Sequence, residues 1–313
     1  MMVHSGNPPT TPTSAPGANG AGGAAPRGRL LVNEPMARHT SWRVGGPADR
    51  LYVPADIDDL AAFLRTLPPE EPIHWVGLGS NLLVRDRGVR GTVILTSGAL
   101  RRIALIDDAR VRAEAGVPSA KVARFCATQG LGGAEFLAGI PGTVGGALAM
   151  NAGAFGGEFW NLVEAVETLD RRGERRTRPA SEYAVGYRSV KPPATEWFVA
   201  AHLKLARDEH AQARALIKSL LARRGATQPT QLPNAGSVFK NPPGDHAARL
   251  IEAAGLKGAA VGGACVSELH ANFIVNSGNA TAADIEELIE HVRTTVERRF
   301  GVRLETEVRV IGE

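Results

Sequence analysis

The chain has 313 residues, enough for one large domain or two to three ordinary ones, and 43% hydrophobic with 22% charged residues excludes wholesale disorder. The net charge is +4 and aromatic residues are 5%, so a nucleic-acid surface, which needs a basic stripe with interleaved aromatics, is excluded. Two cysteines, Cys126 and Cys265, exclude a disulfide framework and a four-thiolate metal site. The basic surplus falls in short runs, Arg171-Arg172, Arg175 to Arg178, Arg223-Arg224 and Arg298-Arg299, which read as solvated turns or helix ends. A mild positive charge also suits an anionic small substrate.

Glycine is the unusual entry in the composition. Of 36 glycines, six lie in residues 1–28 and ten in residues 130–157, which leaves 20 for the rest of the chain. Residues 1–28 are Pro, Gly, Ala, Ser and Thr with almost no apolar anchor, so a disordered tail is expected there. No basic region followed by an apolar run opens the chain, and no stretch approaches 18 apolar residues, so a soluble cytoplasmic protein is expected.

Structure is expected from about Leu30. Asp56 to Leu67 reads as a helix capped by Asp56 and ended before Pro68-Pro69. Strands follow at His74–Val76 and Val93–Leu95, then a hairpin of Ile103–Leu105 with Val111–Ala115 across Asp107-Asp108. Pro118 opens a helix through Thr128, closed by Gly130 and burying Cys126. Val163–Leu169 and Arg175–Arg178 read as strands joined by Arg171-Arg172-Gly173, and Phe198–Leu205 as another. A helix from about Asp208 to Arg224 carries an apolar stripe of Ala213, Leu216, Ile217, Leu220 and Leu221.

The last hundred residues read as a separate unit. It holds a short helix His246–Ala254, a strand Phe273–Val275, and a long helix opened by the capping box Thr281-Ala-Ala-Asp284. That helix has the stripe Ile285, Leu288, Ile289, Val292, Val296 and Phe300. A terminal alternating strand puts Leu304, Thr306, Val308 and Val310 on one face and Glu305, Glu307 and Arg309 on the other. There is no regular βαβ rhythm, so the class is α+β. His246 and His270 are isolated and read as structural, so no metal is expected.

Two glycine-rich segments carry candidate chemistry. Gly77-Leu78-Gly79-Ser80-Asn81 follows a strand and offers backbone N–H groups for an anion, although it also reads as a tight hairpin turn. The run Gly139-Ile140-Pro141-Gly142-Thr143-Val144-Gly145-Gly146-Ala147, continuing through Asn151 and Gly153 to Gly156, would let backbone approach a flat ligand, or serve as a packing crossover.

Together with Thr40-Ser-Trp-Arg43-Val-Gly-Gly-Pro47-Ala-Asp49, these segments resemble the FAD-binding half of the UDP-N-acetylenolpyruvoylglucosamine reductase family. Pro233-Asn-Ala-Gly-Ser237-Val-Phe-Lys240-Asn241-Pro resembles that family's catalytic-serine motif, as do Ser267-Glu-Leu-His270-Ala-Asn272-Phe-Ile and the terminal Leu304-Glu-Thr-Glu307-Val-Arg309 in their places. The resemblance runs over residues 30–313 in order. The short spacing from Gly186-Tyr187-Arg188 to Ser237 resembles the family's shorter type, without an additional tyrosine-bearing segment. One departure is Leu269, where lysine is commoner in the family.

The resemblance implies an FAD-binding domain of the PCMH or vanillyl-alcohol-oxidase type, built from two α+β subdomains at 29–96 and 97–206. Residues 302–313 would return to the first, and a smaller α+β substrate-binding domain would occupy 207–301. It implies reduction of the enolpyruvyl ether of a UDP-sugar to the lactyl ether for peptidoglycan, with NADPH as reductant, FAD as hydride carrier, and no membrane or nucleic-acid partner. It places FAD against Arg43, Gly77, Leu78, Gly79, Ser80, Asn81, Gly116, Gly139, Ile140, Pro141, Gly142, Thr143, Gly145, Gly146, Ala147, Asn151 and Gly153. It assigns Arg188 to polarise the substrate carboxylate, Ser237 to donate the proton, and Glu307 to orient the carboxylate or assist proton transfer. Periodicity alone leaves Glu305 and Glu307 equivalent. Tyr187, Lys240, Asn241, Asn272 and Arg309 are the implied substrate contacts, in a protein expected to be a monomer. Two other readings are an FAD-dependent oxidase or dehydrogenase that shares the binding domain but acts on another substrate, and a catalytically inactive flavin- or nucleotide-sugar-binding module. The first would lack the Ser237–Asn241 motif, and the second would have lost one of Arg188, Ser237 or Glu307.

Overall fold

The computed structural model describes residues 25–208 and 212–313, so the expected disorder of residues 1–24 lies outside the described residues. The expected tail nevertheless ends earlier than residue 28. The Gly28 N–H donates to the Tyr52 hydroxyl at 3.0 Å, and the Arg27 N–H donates to the Asp59 carboxylate. Asp59 is buried and also accepts from Tyr52 Oη at 2.7 Å and Ala55 N at 2.8 Å. Burial alone would raise its pKa, and these donors outweigh that and hold it below the usual carboxylate range.

The first sheet has the order β1 (Arg29–Pro35), β2 (Pro47–Val53), β5 (Val89–Leu95), β3 (Ile73–Val76), with β1 antiparallel and the rest parallel. Helix α1 (Ile57–Leu64) covers it, and its cap is the expected one: Asp56 Oδ1 accepts from Asp59 N at 2.8 Å. Strand β4 (Leu82–Val84) does not join this sheet. It pairs in parallel with the terminal strand Arg309–Ile311. Gly77–Asn81 is therefore a connection between two sheets and not a hairpin turn.

The second sheet is antiparallel throughout, in the order Arg175–Pro179, Val163–Asp170, Glu196–Lys204, β7 (Arg110–Glu114), β6 (Ile103–Leu105). One face is apolar and packs against α2 (Ser119–Thr128) and α3 (Val144–Met150), burying Val122, Cys126, Val144 and Leu148. Helix α3 was not legible as one, because its two consecutive glycines each cost about 1 kcal/mol of helix propensity. The close approach they allow explains them. Gly145 N donates to Ala115 O at 2.8 Å, and a Cβ on Gly145 would lie 3.0 Å from that of Ala115.

The opposite face of this sheet is ionic. Glu167 is 4% exposed and accepts from Arg112 Nε at 2.6 Å, His202 Nε2 at 2.7 Å and Arg175. Beside it Glu196 holds Arg178, with Nε to Oε2 at 2.8 Å. The Arg175–Arg178 run is thus tied to the sheet and not merely solvated.

Helix α4 (Ala213–Thr227) starts later than expected, because Asp208 acts ahead of it as a cap. Its carboxylate accepts from Gln212 N at 3.1 Å and Ala213 N at 2.9 Å. Only Ala213 and Ile217 of the expected stripe are buried, while Leu216 and Leu221 are exposed. Helices α5 (Ala247–Ala253) and α6 (Ala282–Phe300) then pack on a small sheet of Ala260–Val261, Ala264–Val266 and Ile274–Asn276. The Thr281–Asp284 capping box is present, worth about 1 kcal/mol. The stripe of α6 is buried from Ile285 to Val296, and Phe300 at its end is 37% exposed. Trp42 pins this unit to the N-terminal half: it is fully buried, its Nε1 donates to Ile274 O at 2.7 Å, and its carbonyl accepts from Asn276 Nδ2 at 2.9 Å.

The expected terminal strand shrinks to Arg309–Ile311, preceded by an isolated bridge between Thr306 and Phe239. The segment leaves the sheet there to lie against the Ser237 loop. No helix among the described residues is long and apolar enough to cross a membrane.

Burial would raise the Glu167 pKa, but hydrogen bonds from Arg112, His202 and Arg175 override it and hold it well below the usual range. A depressed carboxylate contributes stability above its unfolded pKa and loses it as pH falls. Glu167→Gln should cost about 2 kcal/mol at neutral pH, less than a fully buried pair because the guanidiniums are partly solvated. The difference in melting temperature should narrow below about pH 4. Thermal unfolding of both proteins across pH checks this, and a pH-independent difference would contradict it.

Candidate functional site

One cleft of about 520 Å³ is walled by Gly77–Leu82 on one side and Gly139–Thr143 with the inner face of α3 on the other. The two glycine segments touch. Ser80 Oγ donates to Pro141 O at 2.5 Å, and a Cβ on Gly77 would lie 2.4 Å from Thr143 Oγ1. Gly79 has φ +70°, and a Cβ there would lie 2.0 Å from His39 O. Gly77, Gly79, Gly139, Gly142, Gly146 and Gly153 all line the cleft, so much of its wall is backbone. Thr143 Oγ1 and Trp75 Nε1, on two cleft-lining residues, are buried without a hydrogen-bond partner. A volume of this size, bare backbone and orphaned polar atoms together fit a dinucleotide cofactor.

Arg188 enters from the tip of a hairpin, Ala184–Gly186 with Ser189–Lys191, in a left-handed conformation (φ +50°). That costs about 1–2 kcal/mol for a residue with a Cβ, and the surroundings enforce it. Its Nε donates to Glu307 Oε1 at 3.0 Å, Nη1 to Asn151 O at 3.2 Å and Nη2 to Gly153 O at 3.0 Å. A guanidinium has five N–H groups, so these three bonds leave two for a ligand. Asn151, itself left-handed and buried, is locked in turn. Its Nδ2 donates to Glu158 Oε2 and Gly186 O, and its Oδ1 accepts from Trp160 N.

Glu307 is where the chain resolves what periodicity could not. Its side chain is 12% exposed, against 76% for Glu305, which pairs with Lys240 at 3.2 Å. Burial pushes the Glu307 pKa up, and the opposing pull of Arg188 and Lys240 is smaller. The pair is thus a short contact in which burial and Arg188 pull the acid's pKa in opposite directions. Glu307 is held through its backbone: its N donates to Val238 O at 2.8 Å, and its O accepts from Asn81 Nδ2 at 3.0 Å.

Ser237 lies half-buried on the same cleft, after Gly236 at φ +74°. Asn234 and Asn272 brace its loop. Gly236 N donates to Asn234 Oδ1 at 2.9 Å. Asn272 accepts from Phe239 N at 2.9 Å and donates to Phe239 O at 2.8 Å.

Of the expected cofactor set, Gly77, Leu78, Gly79, Ser80, Asn81, Gly139, Ile140, Pro141, Gly142, Thr143, Gly146, Ala147 and Gly153 line the cleft, as does Arg309 of the expected substrate contacts. Four others lie off its wall for visible reasons. Arg43 is the left-handed residue of an exposed turn (φ +59°). Gly116 allows close packing, since a Cβ would lie 2.0 Å from Thr96 O. Gly145 faces Ala115, and Asn151 acts through Arg188. Asn272 is 4% exposed and its amide braces the Ser237 loop through Phe239. Lys240 and Asn241 also stand off the wall, and Asn241 Oδ1 caps α5 through Ala247 N at 3.1 Å. Tyr187 is exposed at the hairpin tip, with its hydroxyl 3.5 Å from Asn241 N.

The sequence reading missed Trp75, Phe155, Arg223, Arg224 and Gln228, all on the cleft. For the α4 residues a signal was present. Arg223, Arg224 and Thr227 are spaced to share one helix face. Among the described residues no group of three or more His, Cys, Asp or Glu side chains could hold a metal ion.

Comparison with known proteins agrees with this geometry. A family model described as the C-terminal domain of UDP-N-acetylenolpyruvoylglucosamine reductase matches residues 228–311, and one described as an FAD binding domain matches residues 48–177. The UDP-N-acetylenolpyruvoylglucosamine reductase of Methylococcus capsulatus is 63% identical over 291 residues, covering 93% of this chain and 96% of that protein. The one from Alkalilimnicola ehrlichii is 61% identical over 286 residues, covering 91% and 96%. The crystal structure of UDP-N-acetylenolpyruvylglucosamine reductase from Thermus caldophilus matches with a TM-score of 0.77 at 35% identity, covering 91% of this chain and 99% of that one.

The glycine wall makes a direct prediction. Gly79→Ala combines left-handed strain with a collision against His39 O, whereas Gly156→Ala carries strain alone, with open space around its Cβ (φ +87°). Gly156→Ala should cost about 1 kcal/mol and Gly79→Ala clearly more. Equal melting temperatures for the two variants would contradict the close approach at Gly79.

Proposed function

The chain belongs to the UDP-N-acetylenolpyruvoylglucosamine reductase family, and from that membership we propose that it reduces the enolpyruvyl ether of UDP-N-acetylglucosamine to the lactyl ether, a step toward peptidoglycan precursors. FAD, when bound in the glycine-walled cleft, supplies the hydride-transfer chemistry that couples NADPH to this reduction. The observation that carries the reading is the Arg188–Glu307 pair set in that cleft together with Ser237.

Arg188 has two N–H groups to spare and binds the substrate carboxylate through them. As hydride reaches the terminal vinyl carbon, negative charge spreads onto that carboxylate as an enolate. A fixed guanidinium, already oriented by Asn151 and Gly153, stabilises this charge without reorganising. Glu307 would repel the same carboxylate if it were ionised. Burial raises its pKa, which makes a protonated form that donates a hydrogen bond to the substrate easier to reach. Ser237 delivers the proton to the carbon beside the carboxylate, from a loop that Asn234 and Asn272 hold still.

Residues 29–206, with 302–313 returning, serve as the FAD-binding part, and 207–301 as the substrate-binding part. Tyr187, Lys240, Asn241 and Arg309 serve as substrate contacts.

Ser237→Ala separates the roles. Reduction of the bound flavin by NADPH should proceed at the wild-type rate, and reoxidation by the enolpyruvyl nucleotide should slow by 100-fold or more, the usual scale of a lost general acid, about 3 kcal/mol. Single-turnover absorbance of each half-reaction reads this out. Equal slowing of both halves would rule out a proton-donor role.

A further inference from the structure

The cleft is cationic beyond what the reacting centre needs. Four arginines line it, Arg188, Arg223, Arg224 and Arg309, against one carboxylate, Glu307, which Arg188 already engages. Arg223 and Arg224 have no carboxylate within salt-bridge distance among the described residues. Outside those residues the only acid is Glu209, which precedes Arg223 by 223 − 209 = 14 positions in sequence. Arg224 is half-buried, and its guanidinium is pulled below the usual arginine range by that burial with nothing to offset it. An uncompensated, partly desolvated charge is costly, and a fold keeps it where a ligand brings the counter-charge.

Both side chains are oriented. Arg224 Nε donates to Gln228 Oε1 at 3.1 Å, on the residue that follows the end of α4. The Arg223 guanidinium lies 5.9 Å from the Phe155 ring centroid, over the tip of the Gly153–Glu158 hairpin. Phe155 is itself left-handed (φ +53°), an unusual conformation for an aromatic residue in a turn.

We propose that Arg223 and Arg224 form a clamp for the diphosphate of the exchangeable nucleotide. The inference rests on the reductase reading above. A planar guanidinium pair matches phosphate oxygens in charge and hydrogen-bond geometry. Arg223 is exposed, so an arriving anion meets it first, and Arg224 sits deeper. The glycine wall offers a cofactor diphosphate neutral backbone N–H groups, so the arginines remain for the nucleotide that comes and goes. FAD's own diphosphate is the other source of the same chemistry, and the test separates the two.

The test uses the flavin-loaded protein with UDP and uridine as probes, read by the change in flavin absorbance on binding. Wild type should bind UDP more tightly than uridine. Arg223→Gln and Arg224→Gln should each weaken UDP by about tenfold or more, leave uridine nearly unchanged, and keep the flavin-to-protein ratio of wild type. Arg224→Lys keeps the charge, guards against misfolding at the half-buried position, and should recover part of the UDP affinity. Unchanged UDP affinity in the glutamine variants would overturn the clamp. Loss of flavin with an intact preference for UDP over uridine would assign the arginines to the cofactor and also overturn it. Wild-type protein that carries flavin but ignores UDP would instead count against the reductase reading itself.

Discussion

The contact between Arg188 and Glu307, two residues 119 positions apart, is the constraint around which the rest of the molecule is arranged. A charged donor and an acid meet in a largely buried cleft, where charge is costly unless every part of it is engaged. The arginine is engaged on three sides, which requires Asn151 and Gly153 to turn their carbonyls inward at the end of α3. The acid is engaged through its backbone by Asn81 and Val238, which belong to the first glycine segment and to the serine loop. Glycine wall, serine loop and terminal segment therefore meet at one side chain. The last residues must pass the Ser237 loop before pairing with β4, which is why the terminal strand is broken.

The glycines divide by the same logic. Those at Gly77 and Gly79 let two segments of chain touch without side chains between them. Gly145 does this on the far side of α3, against Ala115, where it sets how closely the helix sits on the second sheet. A glycine excess in sequence thus mixes positions that face a ligand with positions that face the core, and only the three-dimensional neighbours separate them.

Local chemistry was legible where a local rule governs. The Asp56 cap, the hairpin over Asp107-Asp108 and the Thr281–Asp284 box are each decided within a few residues, and each is present. Helix α3 was hidden because its glycines argue against helix until Ala115 is seen beside them. Periodicity left Glu305 and Glu307 equivalent because both share one face of an ideal strand, while only Glu307 meets Arg188, which lies far away in sequence. Asn272 matched a family motif and so suggested ligand contact, yet its amide is spent on Phe239. Arg223 and Arg224 looked like a solvated helix end because nothing local says that the helix lies along the cleft.

The most direct test is the absorption spectrum of the purified protein, followed without oxygen. The account predicts a flavin spectrum that NADPH bleaches and that the enolpyruvyl ether of UDP-N-acetylglucosamine restores, one equivalent of substrate per flavin. Colourless protein with no flavin in a denatured extract, or bleached flavin that this substrate leaves bleached, would contradict it.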